Sequence, residues 1–272
     1  ASDVFTYTMA DSEGAVSSTT VTIAITGSND APVAVADDNA EDAVVEDVDA
    51  SATGNVLVND TDVDTGDSKT VVGVAAGDTG ADLEDAATVG MAITGTYGTL
   101  TIGEDGAYTY ALDDTFTATD ALAEGESASD VFTYTMADSE GAVSSTTVTI
   151  AITGSNDAPV AVADDNAEDA VVEDVDASAT GNVLVNDTDV DAGDSKTVVG
   201  VAAGDTGADL EDAATVGMAI TGTYGTLTIG EDGAYTYALD DTFTATDALA
   251  EGENASDVFT YTMADSEGAV SS

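Results

Sequence analysis

The strongest constraint on this chain is that it repeats itself. The string ASDVFTYTMADSEGAVSS stands at residues 1, 128 and 255, a period of 127; sliding the chain by that period aligns 145 pairs, of which two differ, Thr65 against Ala192 and Ser127 against Asn254. Such a period is too long for a solenoid turn and is the size of one independent domain. The chain therefore reads as a row of like units. Its two prolines, Pro32 and Pro159, both lie in the stretch TGSNDAPVAV at 26–35 and 153–162, whose Gly, Ser, Asn and Asp give it linker composition. Cutting there predicts the tail of one unit over 1–29, a complete unit over 30–156, and a second over 157–272 that stops short of its last strand. The sequence is expected to be a segment of a longer array.

Within the unit, apolar residues alternate with threonine at a period of two, the pattern of a half-buried strand. VFTYTM (131–136) puts Phe132, Tyr134 and Met136 on one face; TTVTIAITG (146–154) does the same with Val148, Ile150 and Ile152, and ADSEG joins them. YGTLTIGEDGAYTYAL (97–112) predicts a hairpin, with Leu100 and Ile102 facing Tyr108, Tyr110 and Leu112 across a Gly103–Gly106 turn. With APVAVA (31–36), GNVLV (54–58) and TVVGVA (70–75) there are about seven strands. DLEDAATVGM (82–91) is a weak helix candidate. Seven or so short strands with frequent turns predict an all-β fold, a two-sheet β-sandwich of immunoglobulin-like type. Tyr-rich strands could also stack sugars, but alternation with threonine favours core packing. Tyr97 beside Gly98 is left open.

Charge decides what holds such a unit together. The chain carries 55 acidic residues and two basic ones, Lys69 and Lys196, for a net charge of −53. Self-repulsion on that scale opposes compaction, yet a 43% hydrophobic content with strand periodicity argues against disorder. A folded, cation-dependent protein is expected. Nucleic acid and anionic membrane surfaces would be repelled. No apolar run approaches the roughly 20 residues of a membrane span, and residue 1 opens no signal peptide. Cysteine, histidine and tryptophan are absent. That excludes thiolate and imidazole chemistry and leaves oxygen-ligand metals, calcium or magnesium. Carboxylate pairs of the glycosidase kind are abundant but none is singled out, so catalysis is not expected.

The acids are not evenly spread. GNVLVNDTDVDTGDSK (54–69) crowds Asp60, Asp62, Asp64 and Asp67 into eight positions. In a sandwich with strands A to G in order, the incoming chain and the B–C and F–G loops share one pole. NDTDVDTGD would be the B–C loop and ADSEG, with Asp138 and Glu140, the F–G loop; Asn29 and Asp30 arrive at the same end. Four like charges in one loop repel strongly unless a cation neutralises them, and alternating aspartates can turn several carboxylates onto one calcium. The loop is not an EF-hand, because its glycine is Gly66 and its twelfth residue is Val71. Glu46, Asp113, Asp114 and Glu124 are candidates to close the shell from the far pole of the neighbouring unit. Acids such as Asp78, Asp82 and Glu84 read as solvated surface charge.

The motifs GNVLVNDTDVDTGD, YGTLTIGEDGAYTYALDD and ALAEGESASDVFTYTMADSEGAVSSTTVTIAITGSNDAP resemble the VCBS repeat of large bacterial surface adhesins, including those of the RTX type. That family is similar in fold to immunoglobulin and cadherin domains. The resemblance implies tandem sandwiches, export to the bacterial cell surface, often by type I secretion, a spacer role, and Ca²⁺ at the junctions. It implies metal ligands at Asn29, Asp30, Asp60, Asp62, Asp64, Asp67 and Asp138, and at the next junction at Asn156, Asp157, Asp187, Asp189, Asp191, Asp194 and Asp265. The long DNAEDAVVEDVDASAT before strand B and the GDTGADLEDAATVGM insertion depart from its pattern, and the glycine-rich nonapeptide of RTX calcium rolls is absent.

The function expected is a calcium-rigidified extender of a surface adhesin or filament, in cell adhesion or biofilm attachment, with units about 40 Å long. Its partners are the neighbouring identical repeats. One alternative is a glycan- or partner-binding module acting by avidity. Another is a filament subunit completed by strand addition from other copies, since residues 1–29 contain a spare copy of the strand that the second unit lacks.

Overall fold

The structure, a computed structural model, describes residues 1–83, 86–210 and 213–272. Residues 1–29 form an antiparallel pair, β1 (Ser2–Ala10) and β2 (Val16–Ala24), with Phe5 opposite Val21. Every residue of the pair is exposed.

The next copy folds into a sandwich of β3 (Asp37–Asp38), β4 (Val44–Val45), β5 (Ser51–Asn55), β6 (Thr70–Ala76), β7 (Ile93–Thr94), β8 (Gly98–Ile102), β9 (Ala107–Leu112), β10 (Ser127–Ala137) and β11 (Val143–Thr153). One sheet runs β3-β11-β10-β6, with β4 also on β11; the other runs β5-β9-β8-β7. The short β3 and β4 lie parallel to β11 and the remaining pairs are antiparallel. The alternation in the sequence dictates which side faces in. Leu100, Ile102, Tyr110, Phe132, Tyr134, Val148 and Ile150 are fully buried between the sheets, and Tyr110 meets Phe132 edge to face at 6.3 Å.

The β8–β9 hairpin has the register expected, Leu100 opposite Tyr110 and Ile102 opposite Tyr108. Its turn ends at Gly106, whose φ of +79° suits glycine and where a Cβ would run into Leu57 and Asn55. Asp130 on β10 fastens this sheet to the other. Buried, it accepts hydrogen bonds from the backbone N–H groups of Thr96, Tyr97 and Gly98 and from the Tyr110 hydroxyl, at 2.7–3.2 Å.

Two expected strands lie elsewhere. APVAVA contributes one isolated bridge, Val33 to Thr61, and pairing with β11 waits until β3 and β4. Between those two, the buried Asn39 side chain donates to Ala151 O at 3.0 Å and accepts from Ala151 N at 2.8 Å, replacing a backbone rung. GNVLV is mostly turn, because the strand occupies 51–55. There Asn55 Oδ1 accepts from Leu57 N at 2.9 Å, a local turn that ends the ladder. Of the weak helix candidate, Ala86–Thr88 form a short 3-10 turn. Glu84 and Asp85 lie outside the described residues.

The second sandwich repeats the plan with β12 (Ser178–Asn182), β13 (Thr197–Ala203), β14 (Ile220–Thr221), β15 (Gly225–Ile229), β16 (Ala234–Leu239), β17 (Phe259–Ala264) and β18 (Val270–Ser271). Its sheets run β12-β16-β15-β14 and β13-β17-β18. The counterpart of the long β11 is the two-residue β18, and Tyr235 and Tyr237 are half-buried where Tyr108 and Tyr110 are buried.

Candidate metal centre

The acidic loop between β5 and β6 is shaped by its own carboxylates. Asp62 Oδ1 accepts from Asp64 N at 2.9 Å, Asp64 Oδ2 from Asp30 N at 2.7 Å, and Asp67 Oδ1 from the Ser139 hydroxyl at 2.8 Å. Gly66, at a φ of +104°, lets the chain turn back. Asp62, Asp64 and Asp67 thereby bring one oxygen each within 4.8 Å of one another.

The β10–β11 turn meets this loop from the side. Asp138 Oδ1 caps the turn, accepting from Glu140 N and Ala142 N at 2.9 and 2.8 Å, while Oδ2 accepts from the Asn29 side-chain amide at 2.9 Å. The Asn29 amide, with those backbone N–H groups, holds the Asp138 carboxyl below the usual range. Asp67, Asp138 and Glu140 form a second group within 4.8 Å. The incoming linker and both loops do share one pole.

Asp60 turns away from that cluster. Its carboxylate accepts from Val35 N at 2.7 Å and lies 3.1 Å from the Tyr134 hydroxyl inside the sandwich, where burial raises its pKa. Asp187 makes the matching contacts to Val162 N and Tyr261. These two aspartates brace the loop from within.

At the next junction the same residues are covered by the preceding sandwich. Asn156 donates to Asp265 Oδ2 at 2.9 Å, Asp157 N to Asp191 Oδ2 at 2.7 Å, and Ser266 to Asp194 Oδ1 at 2.8 Å. Asp189, Asp191 and Asp194 again converge within 4.8 Å. The cover comes from the base of the first sandwich, where Ala121 O accepts from Ala192 N at 3.3 Å. Glu46, 1% exposed, accepts from Ser155 N at 3.3 Å. Burial, with Asp157, Asp47 and Asp114 nearby, pushes Glu46 up to about 7. Burial, with Asp191, Asp47, Asp120 and Asp189 nearby, pushes Asp157 up to about 6.

Here the carboxylates lose water while one oxygen each of Asp189, Asp191 and Asp194 gains no partner. Asp191 is 4% exposed where its counterpart Asp64 is only half-buried. Among the described residues, the buried oxygens with no hydrogen-bond partner are Asp62 Oδ2 at the first pole, and Asn156 Oδ1, Asp189 Oδ2, Asp191 Oδ1 and Asp194 Oδ2 at the second. An unpaired buried carboxylate is costly. A set of oxygens from several aspartates and one amide, with no nitrogen or sulfur, is a donor set for a hard divalent cation such as calcium. The residues present fit the ion.

Of the acids proposed to close the shell from the other pole, Glu46 and Asp114 lie in this junction. Asp47 and Asp120 also face Asp157, and the sequence reading passed over both. Asp47 had a signal, since it follows Glu46 directly in VVEDVD. Asp120 had none beyond its place in the loop before β10.

A family profile described as a bacterial cadherin-like domain matches residues 29–154 and again 156–272. No curated protein matches the chain. Among solved structures it is similar to PcdhgB3 EC1-4, with 13% identity and a TM-score of 0.51, over 99% of this chain and 55% of that one. It is similar to the protocadherin gammaB7 EC3-6 cis-dimer at 16% identity and a TM-score of 0.46, over 99% and 58%. Mouse protocadherin-24 EC1-3 matches at 16% identity and a TM-score of 0.41, over 98% and 76%. The chain spans a little over half the length of the first two. At 13% identity the PcdhgB3 likeness speaks to the fold alone.

Proposed function

This chain belongs to the bacterial cadherin-like domain family, and from that premise we propose that it is a calcium-rigidified extender in a bacterial surface adhesin of the VCBS type. One observation carries the reading. Where one sandwich covers the acidic pole of the next, four side-chain oxygens on Asn156, Asp189, Asp191 and Asp194 are buried without partners. Calcium bound there neutralises charges that otherwise repel across the joint.

Asp157, Asp189, Asp191 and Asp194, with Asn156 and Asp265 beside them, hold the ion from the second sandwich; Glu46, Asp47 and Asp120 close it from the first. Asn29, Asp30, Asp62, Asp64, Asp67 and Asp138 do the same at the preceding pole. Bound to both sides, the ion fixes the angle between sandwiches, and a row of such joints becomes a stiff spacer holding a distal binding module away from the cell. Extracellular modules typically bind calcium at about 10⁻⁴–10⁻³ M, so the array stiffens once outside. On this reading residues 1–29 are the C-terminal strands of a preceding repeat, 30–156 a complete repeat, and 157–272 a second without its last strand.

Small-angle scattering of the chain in about 2 mM calcium and in chelator tests this. A longer maximum dimension and a narrower distance distribution in calcium support it. Identical profiles overturn it.

A further inference from the structure

Each sandwich has one amine side chain, Lys69 in the first and Lys196 in the second, set beside its acidic loop. Lys69 Nζ donates to the backbone carbonyl of Leu57, at 3.3 Å, and to that of Asp60. Lys196 Nζ donates to the carbonyl of Asp187, the equivalent of Asp60. Those carbonyls stand where the loop begins, and the lysine stands where it ends. The side chain thus closes a ring around Asp62, Asp64 and Asp67 in one copy and Asp189, Asp191 and Asp194 in the other.

Converged carboxylates repel, and an open-ended loop relieves that repulsion by spreading. A tie across its base resists the spreading. We infer that Lys69 and Lys196 are positioning residues for the cation site, clamps that keep the acidic loop converged before an ion arrives. The inference rests on the calcium reading above. It differs in sign from a plain counter-charge role. An ammonium acting only through its charge repels calcium, so removing it tightens binding. A clamp lowers the cost of assembling the site, so removing it weakens binding even though the chain becomes more negative. Partners bonded directly to a metal ligand typically contribute about 10- to 100-fold in affinity, and a tie on the loop backbone is expected at the lower end of that range.

The test compares the full chain with Lys69→Met/Lys196→Met, which keeps the stem and removes the donors. Lys69→Gln/Lys196→Gln is the second variant, neutral but with a shorter donor. Calcium titration by calorimetry is expected to show affinity about tenfold weaker in the Met chain, with a smaller loss in the Gln chain. In chelator, amide exchange at residues 61–68 is expected to accelerate in the Met chain while Phe132 and Tyr134 on β10 keep their protection. Equal or tighter calcium binding in the variants, or unchanged exchange in the loop, overturns the clamp while leaving the calcium reading standing. A wild-type chain that takes up no calcium overturns both. Should the Met chain fail to fold, the sign of the change in the Gln chain decides alone, weaker for a clamp and tighter for a counter-charge.

Discussion

Ala192 in the acidic loop of the second sandwich donates its backbone N–H to the carbonyl of Ala121 at the base of the first, 3.3 Å away. The bond matters less for its strength than for its location. It brings the loop that carries Asp189, Asp191 and Asp194 up against the segment that carries Asp120, where water is displaced from carboxylates of both sandwiches. Position 192 is also one of the two at which the copies differ, with Thr65 in the first.

Burial at this joint gives Asp191→Asn opposite effects with and without calcium. In chelator the substitution removes a buried charge that has no counter-ion and one oxygen without a partner, and the chain is expected to gain about 1 kcal/mol. In saturating calcium it loses a ligand, and affinity is expected to fall about tenfold or more. Calorimetric melts in the two conditions check the crossing; a loss of stability in both sinks the idea that the carboxylate is there for a cation.

Asp130 is a structural carboxylate with four donors converging on it. Asp130→Ala leaves the buried Gly98 N–H and Tyr110 hydroxyl without their acceptor, together with the more exposed N–H groups of Thr96 and Tyr97, and about 3 kcal/mol of stability is expected to go. Tyr110→Phe removes only one of those bonds and should cost about 1 kcal/mol. Urea titrations of both variants read the difference directly.

Asp37 supplies a pH dependence. Burial, together with the nearby Asp60, raises its carboxyl to about 6 despite the hydrogen bond from the Tyr134 hydroxyl at 2.9 Å. Because the folded pKa lies above the ordinary aspartate value of 3.8, the folded state holds the proton more tightly than the unfolded chain. This group therefore favours folding most at low pH and loses that contribution as pH rises from about 4 to about 6. Asp37→Asn is expected to stabilise the first sandwich at pH 7 and to flatten the pH dependence across that window. Denaturation midpoints at pH 4.5 and 7, measured in chelator, would show it; an unchanged slope counts against it.

Gly106 tests the hairpin. A Cβ there meets Leu57 Cγ at 2.6 Å and Asn55 Oδ1 at 2.8 Å, on a residue with φ +79°. Gly106→Ala is expected to cost about 2 kcal/mol from backbone strain and crowding. Gly66→Ala has a φ of +104° but open space around it, so it should cost about 1 kcal/mol, from the backbone alone. Thermal melts of the two variants separate contact from conformation.

Much of this was legible in the residues. Phe132, Tyr134, Val148 and Ile150 announce their burial by alternating with threonine, and the long central strands follow. The edge strand was misplaced because its pairing rests on Asn39 imitating a backbone rung, which no periodicity reveals. GNVLV looked like a strand because Val56 is apolar and buried, although Asn55 has already turned the chain.

What the sequence by itself determined is the unit, its inward faces and the gathering of acids at one pole, because these depend on local alternation and on the order of strands and loops. Which of those acids stay unpartnered was decided by tertiary structure alone. Asp60 is spent inside on Val35 and Tyr134, Asp138 is anchored by its own turn and Asn29 at the edge of the cluster, and Asp47 and Asp120 arrive from the sandwich before. Hydrogen bonds and burial depend on what lies across the joint, and that is a property of two folded bodies in contact rather than of either stretch of chain.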